Sequence, residues 1–208
     1  MRIRPGMERA FSRLYEAVPE DVLAAWRHVG LANQSVWRVE DYALGYQERD
    51  EAQAGLTDAD RAALRRWEAA LDGVAEYIAR PGQMRLMYHN IGVVRADKSL
   101  IRHRVFATRL KPGCAGEYKR RHDELIRARG DRVEDGPESN FTIWNSGDLI
   151  FGYCELVRAY DHEMTAEERE ASAEWETRQL EIMDWLTDDV DWLTGQRHPK
   201  AERVFYRV

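Results

Sequence analysis

The sequence predicts an α+β fold made of two tandem, diverged copies of one strand–helix–strand–strand–helix–strand module. Three observations carry this reading. A stretch recurs without a gap, so that Trp37 and Trp144, Asp41 and Asp148, Gly45 and Gly152, Tyr46 and Tyr153, and Glu48 and Glu155 all lie 107 residues apart. Further anchors follow in the same order, with offsets that change only between elements. Arg9-Ala10-Phe11 meets Arg104-Val105-Phe106 at 95, Thr57 and Trp67 meet Thr165 and Trp175 at 108, and Arg85–Tyr88 meets Arg203–Tyr206 at 118. Helix-start signals also recur. Thr57-Asp58-Ala59-Asp60 and Thr165-Ala166-Glu167-Glu168 each set an N-cap Thr before an acidic residue at the third helical position.

Taken in order, Met7–Tyr15 and Arg102–Leu110 are short apolar runs expected as strands. Pro19–Val29 opens on a proline with Glu20 and Asp21 in its first turn, a helix start, and its counterpart is Gly113–Arg129. Ser35–Val39 and Asn140–Asn145 are rich in β-branched and aromatic residues. Short polar turns carry them into Tyr42–Glu48 and Leu149–Leu156, as antiparallel hairpins. The second helices follow their Thr caps. In the later copy Trp175, Ile182, Met183, Leu186, Val190 and Leu193 fit one helical stripe, which extends that helix past Met183 and places Trp185 and Trp192 on it. Each half is expected to close on its own strand, Met84–Val93 and Arg203–Val208. The order βαββαβ is ferredoxin-like.

The halves divide as residues 1–95 and 96–208, with Asn90–Ile101 as the crossover. A sheet with helices on one face must cover its other face. Two antiparallel sheets packed face to face within one chain would do so, as an intramolecular dimeric α+β barrel. The chain is then expected as a monomer or a weak homodimer through helices.

Composition narrows the function. The 208 residues are 44% apolar and 33% charged, ordinary for a folded protein. A net charge of −6 makes a poor partner for phosphate backbones. The basic run Lys119-Arg120-Arg121 sits among Glu117, Asp123 and Glu124 and reads as a solvated helix face. No run approaches the length of a membrane span, and Met1–Gly6 lacks a signal-peptide core, so a cytoplasmic protein is expected, without nucleic-acid or membrane partners. Cys114 and Cys154 suit a reducing compartment as small partly buried side chains.

Chemistry concentrates in one place. Tyr118 and His122 are four apart on a helix and share a face with Ala115, Leu125 and Ile126, so they point inward. A phenol and an imidazole together suit general acid–base work, although a core pair with ordinary hydrogen bonds explains the spacing as well. His28, His103, His162 and His198 lack metal-ligand spacing. The rings of Trp144, Tyr153, Trp175, Trp185 and Trp192 serve as core filling or as flat walls for an oxygenated ring.

Glu117-Tyr118-Lys119-Arg120-Arg121-His122 with Leu110-Lys111-Pro112-Gly113, Asn140-Phe141-Thr142-Ile143-Trp144, Leu149–Leu156 and the closing Glu202–Tyr206 resemble the L-rhamnose mutarotase family over residues 102–208. The resemblance implies a ferredoxin-like unit that interconverts the anomers of a small sugar without a cofactor. It implies catalytic Tyr118 and His122 and a strand start at Asn140. The family's Trp-Trp pair before a Met is here Gln179 and Leu180 before Met183. The N-terminal half lacks the Glu-Tyr-x-Arg-Arg-His run and reads as a structural copy, with His28 on the matching helix. A weaker similarity links His103-Arg104 and the end of the chain to tetracenomycin-type aromatic polyketide cyclases.

The leading expectation is therefore a cofactor-independent isomerase in which His122 and Tyr118 move protons at two oxygens of a ring. Asn140, Trp144, Tyr153, Trp175 and Met183 are its candidate substrate contacts. A cyclase of secondary metabolism and a non-catalytic small-molecule binder are the alternatives.

Overall fold

The computed structural model describes residues 1–50, 55–158, 165–187 and 200–208. His162, Val190, Trp192, Leu193 and His198, singled out in the sequence, lie outside the described residues. In chain order the elements are β1 (Arg2–Ile3), α1 (Glu8–Glu16), α2 (Glu20–His28), β2 (Leu31–Val39), β3 (Tyr42–Arg49), α3 (Asp58–Val74), β4 (Ala75–Glu76) and β5 (Arg85–Gly92). There follow β6 (Ile101–Leu110), α4 (Ala115–Arg129), β7 (Glu138–Ser146), β8 (Leu149–Val157), α5 (Ala166–Leu180), β9 (Met183–Thr187) and β10 (Glu202–Arg207). The chain is α+β, with two antiparallel five-stranded sheets ordered β10-β2-β3-β1-β4 and β5-β7-β8-β6-β9.

Two compact units result, one of Met1–Arg80 with Glu202–Val208 and one of Pro81–Ala201. Each contains a full ferredoxin-like module whose last strand is short, β4 or β9. The strands expected to close each half are instead a fifth strand, and they are exchanged. β5 follows the N-terminal copy in sequence but pairs with β7, and β10 follows the C-terminal copy but pairs with β2. The sequence halves 1–95 and 96–208 differ from the compact units by these two strands. Pairing of Tyr88 with Ile143 and of Phe205 with Val36 sets the offset of the exchanged strands at 117, one less than the sequence match. In a strand one residue changes the face on which a side chain lies.

The duplication reaches the backbone. Asn33 and Asn140 have φ of 44° and 50°, each inside a bulge of its hairpin, and Gly6 and Gly113 have φ of 78° and 79°. Asn tolerates the left-handed region better than other side-chain-bearing residues. Both predicted capping boxes form, Thr57 with Asp60 and Thr165 with Glu168.

Two elements differ from expectation. Met7–Tyr15 is not a strand. Phe11, Leu14 and Tyr15 repeat at helical spacing, and α1 turns Phe11 fully inward. Pro19, at φ −58° and ψ 142°, separates α1 from α2, because a proline disfavours helix at the residue before it. The match at offset 95 therefore joins a helix to a strand. The repeat runs back at 107 instead, setting Pro5-Gly6 on Pro112-Gly113, Phe11 on Tyr118 and Tyr15 on His122. The second difference lies after α5. The helix stops at Leu180, and Met183–Thr187 pairs as β9 with β6, so Met183 and Trp185 are strand residues.

Each unit has its own core. That of unit 1 gathers Ile3, Phe11, Val22, Trp26, Trp67 and Leu71, with Phe205 packed against it. That of unit 2 gathers Met87, Tyr88, Phe106, Tyr118, Ile143 and Met183. Phe106 lies directly over Gly152, where a Cβ would fall 2.1 Å from its ring, so only glycine fits there.

Candidate active site

The registers divide the second sheet into rows. Phe106, Gly152, Ile143 and Tyr88 lie side by side across β6, β8, β7 and β5. Phe106, Ile143 and Tyr88 share a core cluster with Tyr118 of α4. The neighbouring rows, Val105-Tyr153-Thr142-His89 and Ala107-Phe151-Trp144-Leu86, point to the opposite face.

On the helix-covered face stands the predicted pair. Tyr118 and His122 are 2% and 4% exposed, and their rings stack at 4.3 Å. Trp175 of α5 meets the His122 ring edge-on at 5.4 Å, and Tyr88 of the exchanged strand does so at 5.6 Å. Rings continue the wall from Tyr88 to Phe141 at 5.5 Å, from Phe141 to Phe106 at 6.2 Å and from Phe106 to Trp185 at 5.9 Å. Arg129 reaches the Tyr88 hydroxyl at 3.3 Å. Met183, beside Leu110, belongs to the same core cluster as Tyr118.

His122 Nδ1 lies 2.9 Å from the Tyr118 carbonyl oxygen. A carbonyl only accepts, so Nδ1 carries the proton and donates it, and Nε2 keeps its lone pair. Burial lowers the imidazole pKa from 6.5 to about 4, against a smaller upward pull from that carbonyl. The ring is thus a neutral base at neutral pH. Burial moves the Tyr118 phenol the other way, well above its usual value, so it stays a proton donor.

The basic run on α4 is only partly a solvated face. Arg120 pairs with Glu117 and Glu124, and Lys119 with Asp123. Arg121, however, is buried and ties α4 to the end of α5 through the Arg178 carbonyl and Glu181. Arg120 and Arg121 hold Glu117 at about 2. Lys111 reinforces the tie with bonds to the Leu180 and Glu181 carbonyls.

Not every predicted contact joins this group. Trp144 and Tyr153 point to the other face of the sheet, where Trp144 stacks on Phe151. There the Tyr153 hydroxyl donates to Glu155 at 3.0 Å, and Lys98 closes on the same carboxylate at 2.9 Å. Glu155 is fully buried, and the paired lysine is what makes a buried carboxylate tolerable. Tyr46 and Glu48 repeat the Tyr–Glu bond in the first unit, with Asn33 in place of the lysine. Asn140 is buried in the bulge, with Thr142 donating to its carbonyl. The equivalent Asn33 has the same backbone conformation, which gives both a backbone role.

The sequence missed Tyr88, because only strand exchange brings it to His122. It missed Glu176, which is 3% exposed and accepts from Trp185 Nε1 at 2.8 Å. It also misplaced the counterpart of His122. His28 instead holds Asp60 at 3.0 Å, at the capping box of α3. The equivalent of His122 is Tyr15, which packs with Phe11 at 5.1 Å, Trp67 at 5.2 Å and Phe205 at 5.7 Å. Among the described residues, no group of His, Cys, Asp and Glu could hold a metal ion. No described helix is long and apolar enough to cross a membrane.

The family model of L-rhamnose mutarotase matches residues 1–89 and 103–207, so the match takes in the N-terminal copy as well as the C-terminal one. A similarity to the tetracenomycin-type cyclases is not shown. No curated protein and no solved structure matches the chain.

Proposed function

The chain belongs to the L-rhamnose mutarotase family, and from that premise we propose that it interconverts the anomers of a small sugar at His122 and Tyr118. One observation supports this reading above the rest, and the duplication supplies its control. Where the N-terminal copy has Phe11, Tyr15, Leu71 and Phe205, the C-terminal copy has Tyr118, His122, Gln179 and Tyr88. Three of these differences add a hydrogen-bonding group to an apolar position, and the fourth puts a titratable imidazole in place of a phenol. The first copy spends the space on an aromatic core closed by Trp26. The second keeps polar groups there, and the Gln179 amide among them has no hydrogen-bond partner among the described residues.

The chemistry follows from the protonation states. Opening a pyranose needs the anomeric hydroxyl to lose a proton while the ring oxygen gains one. His122 Nε2 takes the first proton, and the Tyr118 hydroxyl supplies the second. The open aldehyde turns about its C1–C2 bond, and closure on the other face returns both protons. Trp175 and Tyr88 form apolar walls that hold the sugar ring and limit water at the reacting oxygens. Tyr88 comes from β5, so the exchanged strand completes the site.

The test is magnetisation exchange between the two anomers of L-rhamnose, followed by NMR in dilute buffer. The exchange rate should rise linearly with protein concentration. A panel of aldoses showing only the buffer rate would favour the non-catalytic binder instead.

A further inference from the structure

Helix α5 turns a polar face inward. Glu176 on that face has a use, since it holds the Trp185 indole. Gln179 has none. It is 2% exposed, and neither its Oε1 nor its Nε2 finds a hydrogen-bond partner among the described residues. An unpaired buried amide costs stability, and native proteins keep few of them. The fold itself does not need one here. The equivalent residue in the other copy is Leu71, also 2% exposed and part of an apolar core.

Position ties the amide to the site. Gln179 lies one turn after Trp175, which touches His122. Its own carbonyl accepts from Ile182, and Ile182 and Met183 share a core cluster with Tyr118. Arg121 and Lys111 fix this end of α5 against α4 and the strand before it. The amide therefore sits on a braced wall and not on a loose end.

We infer that Gln179 reads the substrate: its amide accepts from one sugar hydroxyl and donates to another, and so selects a polyhydroxylated sugar over the deoxy analogue that lacks them. The inference rests on the mutarotase reading of the same site. A site with buried polar groups rejects a ligand that cannot pair them far more strongly than an apolar wall rejects an added group. Specificity at this wall thus comes from an amide kept unpaired until the sugar arrives.

The experiment uses the full chain and the Gln179→Leu variant, which writes the residue of the other copy into this one. Calorimetry gives Kd for L-rhamnose and for L-mannose, which carries one more hydroxyl, and a thermal scan gives the sugar-free midpoint. Gln179→Leu is expected to raise that midpoint. It should weaken the tighter-binding sugar by about tenfold or more and narrow the gap between the two sugars. Unchanged Kd values for both sugars overturn the inference and leave the mutarotase reading standing. Absence of binding and of exchange in the unaltered chain overturns both. Should the leucine variant fail to fold, Gln179→Met, closer in volume, carries the same comparison.

Discussion

His122→Gln is expected to slow anomer exchange by about 10²–10⁴-fold, the contribution of one positioned acid–base group. Glutamine keeps a donor for the Tyr118 carbonyl but has no group that titrates. Tyr118→Phe should cost a similar factor, since it removes the proton donor alone. Phe11 fills the equivalent place in the other copy, so the ring itself is not at issue. Both variants should unfold within a few degrees of the unaltered chain. If instead they lose several kcal/mol of stability and keep their exchange rate, the pair is core and nothing more. His28→Gln, at the cap of α3, should leave the rate alone.

The second large effect is one of pH. The buried His122 imidazole titrates near 4, and an unfolded histidine near 6.5. As pH falls through 6.5 the unfolded chain takes up this proton first, so stability declines until the folded ring is protonated as well, near 4. Above 6.5 the ring is neutral in both states and contributes no slope. The interval corresponds to about 3 kcal/mol. Denaturant unfolding at pH 7 and at pH 4 should show that loss, and His122→Gln should be less acid-sensitive by about the same amount. The rate has the same origin. Because the neutral ring is the base, kcat/KM should hold down to an acid limb near 4. A limb near 6.5 would mean that the working imidazole is exposed to water.

Much of the fold could be read from residue patterns, because local chemistry specifies it. The Thr57 and Thr165 boxes, the hairpins and the repeat of Trp, Gly, Tyr and Glu along them are all short-range signals. The exchange of β5 and β10 could not be read. A strand's alternation states which side chains share a face and says nothing about which edge it joins. Met7–Tyr15 misled because a short apolar run fits a strand and a helix alike, and the Pro5-Gly6 match that decides it lies just outside the run. The spacing of Tyr118 and His122 places both on the inward face of α4, where the structure has them, and their proposed role rests on the family resemblance. Trp144 and Tyr153 were placed with them as neighbours in sequence, but their rows point to the other face of the sheet. Tyr88 and Gln179 gain meaning only from tertiary contacts, one through the exchanged strand and the other through burial without a partner.

The proposed function rests on one difference between the two copies, the polar side chains in the core of the second. It is tested most directly by giving the C-terminal copy the residues of the N-terminal one, as Tyr118→Phe, His122→Tyr and Gln179→Leu together. Anomer exchange would be measured by NMR on the same sugars, with a thermal scan of the same sample. The expected result is a folded chain, as stable as the unaltered one or more so, whose exchange rate falls to that of buffer. A folded triple variant that still accelerates exchange would contradict it, because the chemistry would then lie elsewhere in the chain.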